Sequence, residues 1–310
     1  MIRFVAKRIA IMVLIMLAVS LAVFIMQELS PGSVATKVLG PYSSQEQRQL
    51  WLEAHGYLEP IHLRYLTWLG GFLTGDFGAS TRFKIPVADI LWPRLGNTAI
   101  LGLSAMLVMV PLALLLGVLA GMREGSARDR SISVFSTVTT SIPEFASAVF
   151  LAAIFVFALH LLPGTSAMAD GFDVKELVLP TLVLVLYGTG YVARMTRASM
   201  AEVMTSAYIR TAVLKGLPTR HVIWRHALRN ALIAPFTVIM LYIPYLLSGV
   251  IVAEVFFAYK GFGALLLEAA LNDDIFLIEA CAMIAVAVVA VTQTISDVGY
   301  MALNPRIRFR

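Results

Sequence analysis

Six stretches of this chain, at about residues 9–29, 97–122, 132–162, 177–199, 230–257 and 277–303, are apolar over lengths that match a lipid bilayer. About 20 apolar residues suffice for one crossing. Lipid offers the backbone no hydrogen-bond partners, so each run must satisfy its own N–H and C=O groups and is expected to be helical. Composition agrees: the 310 residues are 59% hydrophobic and 14% charged, whereas soluble domains lie near 45–50% apolar and roughly 25% charged. The expected fold is all-α, a polytopic membrane protein with six transmembrane helices in one domain over 1–310. The segments between the runs are too short for a separate catalytic domain.

The net charge of +5 belongs to topology rather than to nucleic acid, because a soluble basic face does not come with six apolar runs. Placing the N-terminus inside puts 16 of the 24 Lys and Arg residues on the cytoplasmic side, as the positive-inside rule prefers. These include Arg3, Lys7 and Arg8, Arg123, Arg128 and Arg130, Arg194 and Arg197, and Arg306, Arg308 and Arg310. Both termini are then cytoplasmic. The first run resembles a signal peptide but is too long and lacks a small-residue cleavage site, so it is expected to be a retained helix. Cys281 is the single cysteine, which leaves no internal disulfide and no cysteine metal cluster.

Residues 30–96 form the expected external loop, with helix signals of their own. In SSQEQRQLWLEAHGY, Ser44 precedes Gln47 by three, the spacing of a capping box. Further on, EPIHLRYLTWLGGFLTGDFGAS spaces Leu63, Leu66, Leu69 and Phe72 about one turn apart, with Tyr65 and Trp68 beside them. Such a helix suits a membrane interface. Gly117 and Gly121 in the second run have the spacing that lets helices approach closely in lipid.

No GxxxxGK[ST], HExxH or GxSxG sequence occurs, and no cluster of His and carboxylates has ligand spacing. The chain is therefore expected not to be an enzyme, with no catalytic, metal or cofactor site of its own.

The most informative stretch is YIRTAVLKGLPTRHVIWRHALRNALIAP, residues 208–235, basic and without an acid between two apolar runs. Gly216 and Pro218 predict a turn between two short helices. This helix–Gly–helix pattern resembles the permease subunits of binding-protein-dependent ABC importers, in the peptide, oligopeptide and nickel branch. The family's loop reads EAA, three residues, Gly, nine residues, Ile-x-Leu-Pro. Arg210, Thr211 and Ala212 stand at the EAA positions, Gly216 at the glycine, and His226, Ala227 and Leu228 at Ile-x-Leu. Arg replaces Glu, Thr replaces the first Ala, and Arg229 replaces the closing Pro, but YIRTAVLKG and RHALRNAL are similar to the peptide branch. RYLTWLGGFLTGDFGAS, ARMTRASMAEV, VAEVFFAYKGFG and ALNPRIR resemble further signatures of the family in the same order.

The resemblance implies a type I ABC importer permease in a bacterial inner membrane, forming half of a path for a small solute, with di- and oligopeptides leading. It implies as partners a second homologous permease, two cytoplasmic ATPase subunits that use ATP and Mg, and an external solute-binding protein, with no nucleic acid. Tyr208, Arg210, Thr211, Ala212, Lys215, Gly216, Leu217, His226 and Leu228, within the loop 200–229, are the implied ATPase-coupling residues. Two acids are candidates for the translocation path. Glu144 lies inside the third run beside Pro143, where an unpaired carboxylate is costly. Glu254, near the outer end of the fifth run, resembles with Tyr259, Lys260 and Phe262 the family's outer gate. The competing reading is a proton-coupled carrier that works without an ATPase, for which Glu144 would be the titrating group.

Overall fold

The computed structural model describes residues 2–28, 34–169, 171–248 and 250–303. Arg306, Arg308 and Arg310, residue 29 and the first residues of the 30–96 loop lie outside the described residues. In chain order the helices are α1 (Ile2–Glu28), α2 (Val34–Leu39), α3 (Gln45–Ala54), α4 (Ile61–Thr74), α5 (Val87–Gly121), α6 (Ala127–Ser141), α7 (Glu144–Ala152) and α8 (Val174–Met204). There follow α9 (Ala207–Leu214), α10 (Thr219–His221), α11 (Leu228–Ala231), α12 (Ile233–Ser248), α13 (Ile251–Phe256), α14 (Phe262–Leu271) and α15 (Ile275–Leu303). π-helical turns at Ala153–Ala158 and Val222–Ala227 extend α7 and join α10 to α11.

Among the described residues no strand forms beyond one isolated bridge, Ala79 to Pro86. Four helices, within α1, α5, α8 and α15, are long and apolar enough to cross a membrane, and the number rises to six if each of two bent pairs, 127–158 and 219–246, is one span. The protein is an all-α polytopic membrane protein.

Two apolar runs take shapes that differ from a simple span. α5 starts at Val87, ten residues before the run at 97–122, and continues through Pro93. The run at 132–162 is not one helix: α6 and α7 meet at an angle of 101°. Ile142 is extended (φ −82°, ψ 123°) and Pro143 precedes α7 without an N–H to donate. A residue before proline is pushed away from helical angles, so α6 ends there.

The chain divides into two compact units. The first comprises Met1–Asn97 and Gly261–Val291. Only 11% of the most apolar stretch of α1 is buried, as expected of a helix whose uniformly apolar surface meets lipid. Ser44 and Gln47 form the capping box, each side chain accepting the other residue's backbone N–H at 3.1 and 2.9 Å. α4 turns its aromatic face inward, with Phe24 edge-on to Tyr65 at 5.4 Å and Trp68 donating its indole N–H to Glu279 (3.0 Å). Leu63 and Leu66 stay exposed. The turn at 79–86 is pinned by buried Asp274, whose carboxylate accepts the Ser80 hydroxyl and the Arg82 N–H (3.1 Å) just before α15.

The second unit comprises Thr98–Lys260 and Thr292–Arg310. Its centre is α8, which buries 67% of its most apolar stretch. Small residues permit this. A Cβ on Gly117 would stand 2.4 Å from the Cβ of Thr196, and one on Gly121 2.6 Å from that of Met200. The backbones of α5 and α8 therefore touch, the arrangement that gives lipid-embedded helices their dispersion contacts. Gly188 and Gly190 admit Met109, Tyr242 and Thr139 against α8 in the same way.

Candidate coupling site and intramembrane acids

The segment that follows α8 folds on itself. Ile209 and Ala212, three residues apart on α9, are buried with Met200, Val222, Ala227 and Ala231, and Leu217 packs against them. Spacing of three on a helix puts both on one side, and the opposite side is left bare. Tyr208, Arg210, Thr211, Val213, Leu214 and Lys215 are exposed there, Leu214 by 80%.

α9 then ends in a Schellman motif. Gly216 has φ +74° and donates to the Val213 carbonyl, while the Leu217 N–H reaches back to Ala212. That 6→1 and 5→2 pair is the motif's signature, and it needs a left-handed residue at the glycine position. Pro218 starts the return through α10 and the π-helical turn. Asn230 of α11 donates to the Tyr208 hydroxyl at 2.9 Å, closing the hairpin.

All nine residues singled out for coupling lie on this hairpin, but in different environments. Tyr208, Arg210, Thr211, Lys215 and Gly216 are exposed. Ala212 is buried and Leu217 half-buried in the small core, while His226 and Leu228 are half-buried on the return. Ala212 therefore holds the hairpin together rather than presenting a surface.

Sequence reasoning missed the brace beneath it. Arg197, read only as a topology charge, donates from Nε and from Nη2 to the two oxygens of Asp129, both at 2.9 Å, and also reaches Glu124 at 3.2 Å. Asp129 is 3% exposed and also accepts the Gly125 N–H and the Ser133 hydroxyl. Planar guanidinium and carboxylate match as a two-pronged pair, so the start of α6 is fixed to α8 seven residues before that helix ends. A visible signal existed: Asp129 follows Ser126 by three in the basic sequence REGSARDR, and Ser126 caps α6 by accepting the Asp129 N–H.

The two acids have separate partners. Glu144 opens α7, where the helix dipole favours a negative charge, and accepts the Tyr245 hydroxyl at 2.5 Å. Tyr187 stacks on Tyr245 at 5.7 Å, and Tyr242 lies 5.1 Å from it while donating to the Leu184 carbonyl. A carboxylate among three tyrosines at a helix break is a polar island in an apolar bundle. Glu254 is not a solvated helix end: it is 0% exposed and accepts the Thr98 hydroxyl.

Residues 113–309 match the family described as binding-protein-dependent transport system inner membrane component, and residues 1–98 match its N-terminal companion. The chain belongs to this family of transport permeases. An oligopeptide transport system permease protein, AppB of Bacillus subtilis, is 31% identical to the permease over 99% of both chains. The dipeptide transport system permease protein DppB of Escherichia coli K12 is 29% identical over the full length of both. A probable peptide ABC transporter permease protein of Sinorhizobium fredii, y4tP, is 30% identical over 99% of each. The solved structure of an amino acid ABC transporter with histidines covers 71% of the permease and 94% of its own chain, at 13% identity and a TM-score of 0.49. The permease is thus a multi-pass inner membrane protein and a transport component, not an enzyme.

Proposed function

We propose that this permease carries di- or oligopeptides across the membrane as one of two homologous transmembrane subunits, driven by two cytoplasmic ATPase subunits that hydrolyse ATP with Mg and supplied by an external solute-binding protein. The observation that carries the coupling role is the α9–α11 hairpin. Outside the spans, a helix that buries Ile209 and Ala212 yet leaves Tyr208, Val213 and Leu214 bare has a surface suited to a protein partner. On this reading the hairpin and both termini are cytoplasmic, and the exposed face of α9 seats in the ATPase. Closure of the ATPases pushes the hairpin, and the push passes along α8, which the Arg197–Asp129 pair joins to α6. Glu144 and Glu254 then belong to the moving bundle, with Glu144 facing the path. The peptide cargo is supported by the names of the relatives.

Reconstitution with the partner subunits tests the whole reading. A labelled dipeptide should accumulate in proteoliposomes when ATP is supplied, and a proton gradient alone should leave uptake at background. Uptake driven by the gradient without ATP would instead favour the carrier that works alone, a reading the relatives do not favour.

A further inference from the structure

A cavity of about 470 Å³ lies where α5 ends and α6 begins, in the size range of small-molecule sites. Its apolar lining includes Leu119, Met122, Met204 and Ile223; its charged lining is Arg123 and Arg128, with no carboxylate. The acids that neighbour these arginines in sequence, Glu124 and Asp129, are both held by Arg197. Among the described residues the Arg123 and Arg128 side chains have no hydrogen-bond or ion-pair partner. Two guanidinium groups at a cleft with no acid in its lining create a positive potential, and no described side chain pairs with them.

Depth identifies the ligand. α5, long and apolar enough to cross a membrane, ends at Gly121; with that end at the membrane boundary, Arg123 and Arg128 fall near the lipid headgroups, and Leu119 and Met122 lie at the end of the span. Apolar below and cationic above is the pattern of an anionic amphiphile, whose chains need a greasy floor and whose phosphate needs donors. Basic cavities between spanning helices suit such headgroups, and guanidinium matches phosphate with two parallel donors. The α6 N-terminus adds its partial positive charge on the same side. A free phosphate would use the arginines and leave the apolar floor wet.

We infer that the cleft between Arg123, Arg128 and the end of α5 is a binding site for one anionic phospholipid, with its phosphate on the two arginines and its acyl chains on Leu119 and Met122. The inference rests on membrane insertion and not on the identity of the cargo or the driving force. Phosphatidylglycerol supplies the required chemistry, and phosphatidylcholine has the same apolar part without the net charge.

The test offers purified full-length permease an equimolar mixture of dioleoyl phosphatidylglycerol and dioleoyl phosphatidylcholine in detergent, with lipid adducts counted by native mass spectrometry. One molecule of phosphatidylglycerol should bind in preference. The double variant Arg123→Ala/Arg128→Ala should lose about thirtyfold in that affinity, since a basic residue near the surface contributes about 1 kcal/mol to anionic lipid attraction and tenfold corresponds to about 1.4 kcal/mol. Arg123→Lys/Arg128→Lys should retain most of the preference. If the alanine pair melts early, the single variants Arg123→Gln and Arg128→Gln carry the test, each with about a fivefold loss.

Phosphatidylglycerol bound equally by the folded alanine pair and the wild type would overturn the assignment. Displacement of the lipid by millimolar inorganic phosphate would show a free-anion site instead. Displacement on adding the ATPase subunits would show a protein contact, and either outcome removes the lipid site whatever the transport assay gives.

Discussion

At the scale of single residues, Gly216 carries the sharpest expectation. Its φ of +74° lies where side chains other than glycine are strained, although open space surrounds it. The Cβ of Gly216→Val thus meets no neighbour, and the cost falls on the backbone, about 1–3 kcal/mol for a residue held in such a region. Membrane insertion should be normal while ATP-driven uptake falls at least about fivefold, since the end of α9 can no longer take the Schellman shape. Unchanged uptake would end the argument that this turn transmits force. Glu144→Gln asks a different question, because glutamine can still accept from Tyr245 and only the charge is removed. If Glu144 faces the path, uptake of a lysine-containing dipeptide should fall about five- to tenfold relative to a neutral one, corresponding to about 1–1.4 kcal/mol, with the melting temperature unchanged. A joint loss of stability and of all uptake would assign Glu144 to structure.

At the scale of elements, the brace between α6 and α8 should matter more than any exposed cation. Asp129→Ala leaves Arg197 without its two-pronged partner, and hydrogen bonds to charged groups contribute about 1.5–3 kcal/mol. Because the Arg197 side chain is 28% exposed, water takes up part of the loss and the cost stays below that of a fully buried pair. Thermal unfolding in detergent should show a clear drop for Asp129→Ala and almost none for Arg130→Ala, whose residue is exposed. Equal effects would demote the brace to a surface contact.

The elements also show what sequence can and cannot display. Long apolar runs revealed where helices form because hydrophobicity is a local property. The capping box at Ser44 and the turn at Gly216 were readable for the same reason: each needs only residues within one turn. The break at Pro143 was not readable, since proline inside a membrane helix is often accommodated and only packing decides whether the chain bends. Arg197 and Asp129 lie 68 residues apart, and Glu254 and Thr98 lie 156 apart; neither pairing leaves a trace in local composition.

At the scale of the whole molecule, the proposed orientation places residues 34–96 outside and the α9–α11 hairpin inside. A cysteine at Ser44, in a Cys281→Ser background, should react with a membrane-impermeant maleimide on intact cells, and one at Thr219 only after lysis. The opposite pattern would reverse the topology and with it the position of the ATPase. The hairpin itself has a consequence for assembly. Its core of Met200, Ile209, Ala212, Val222 and Ala227, its glycine cap and its Tyr208–Asn230 bond are all supplied by this chain. The hairpin thus takes its shape from this chain alone, and on the proposed reading docking need not freeze a disordered loop, which would cost about 1–2 kcal/mol per residue ordered. On the proposed reading an ATPase subunit would meet a preformed surface on which Val213 and Leu214 are bare.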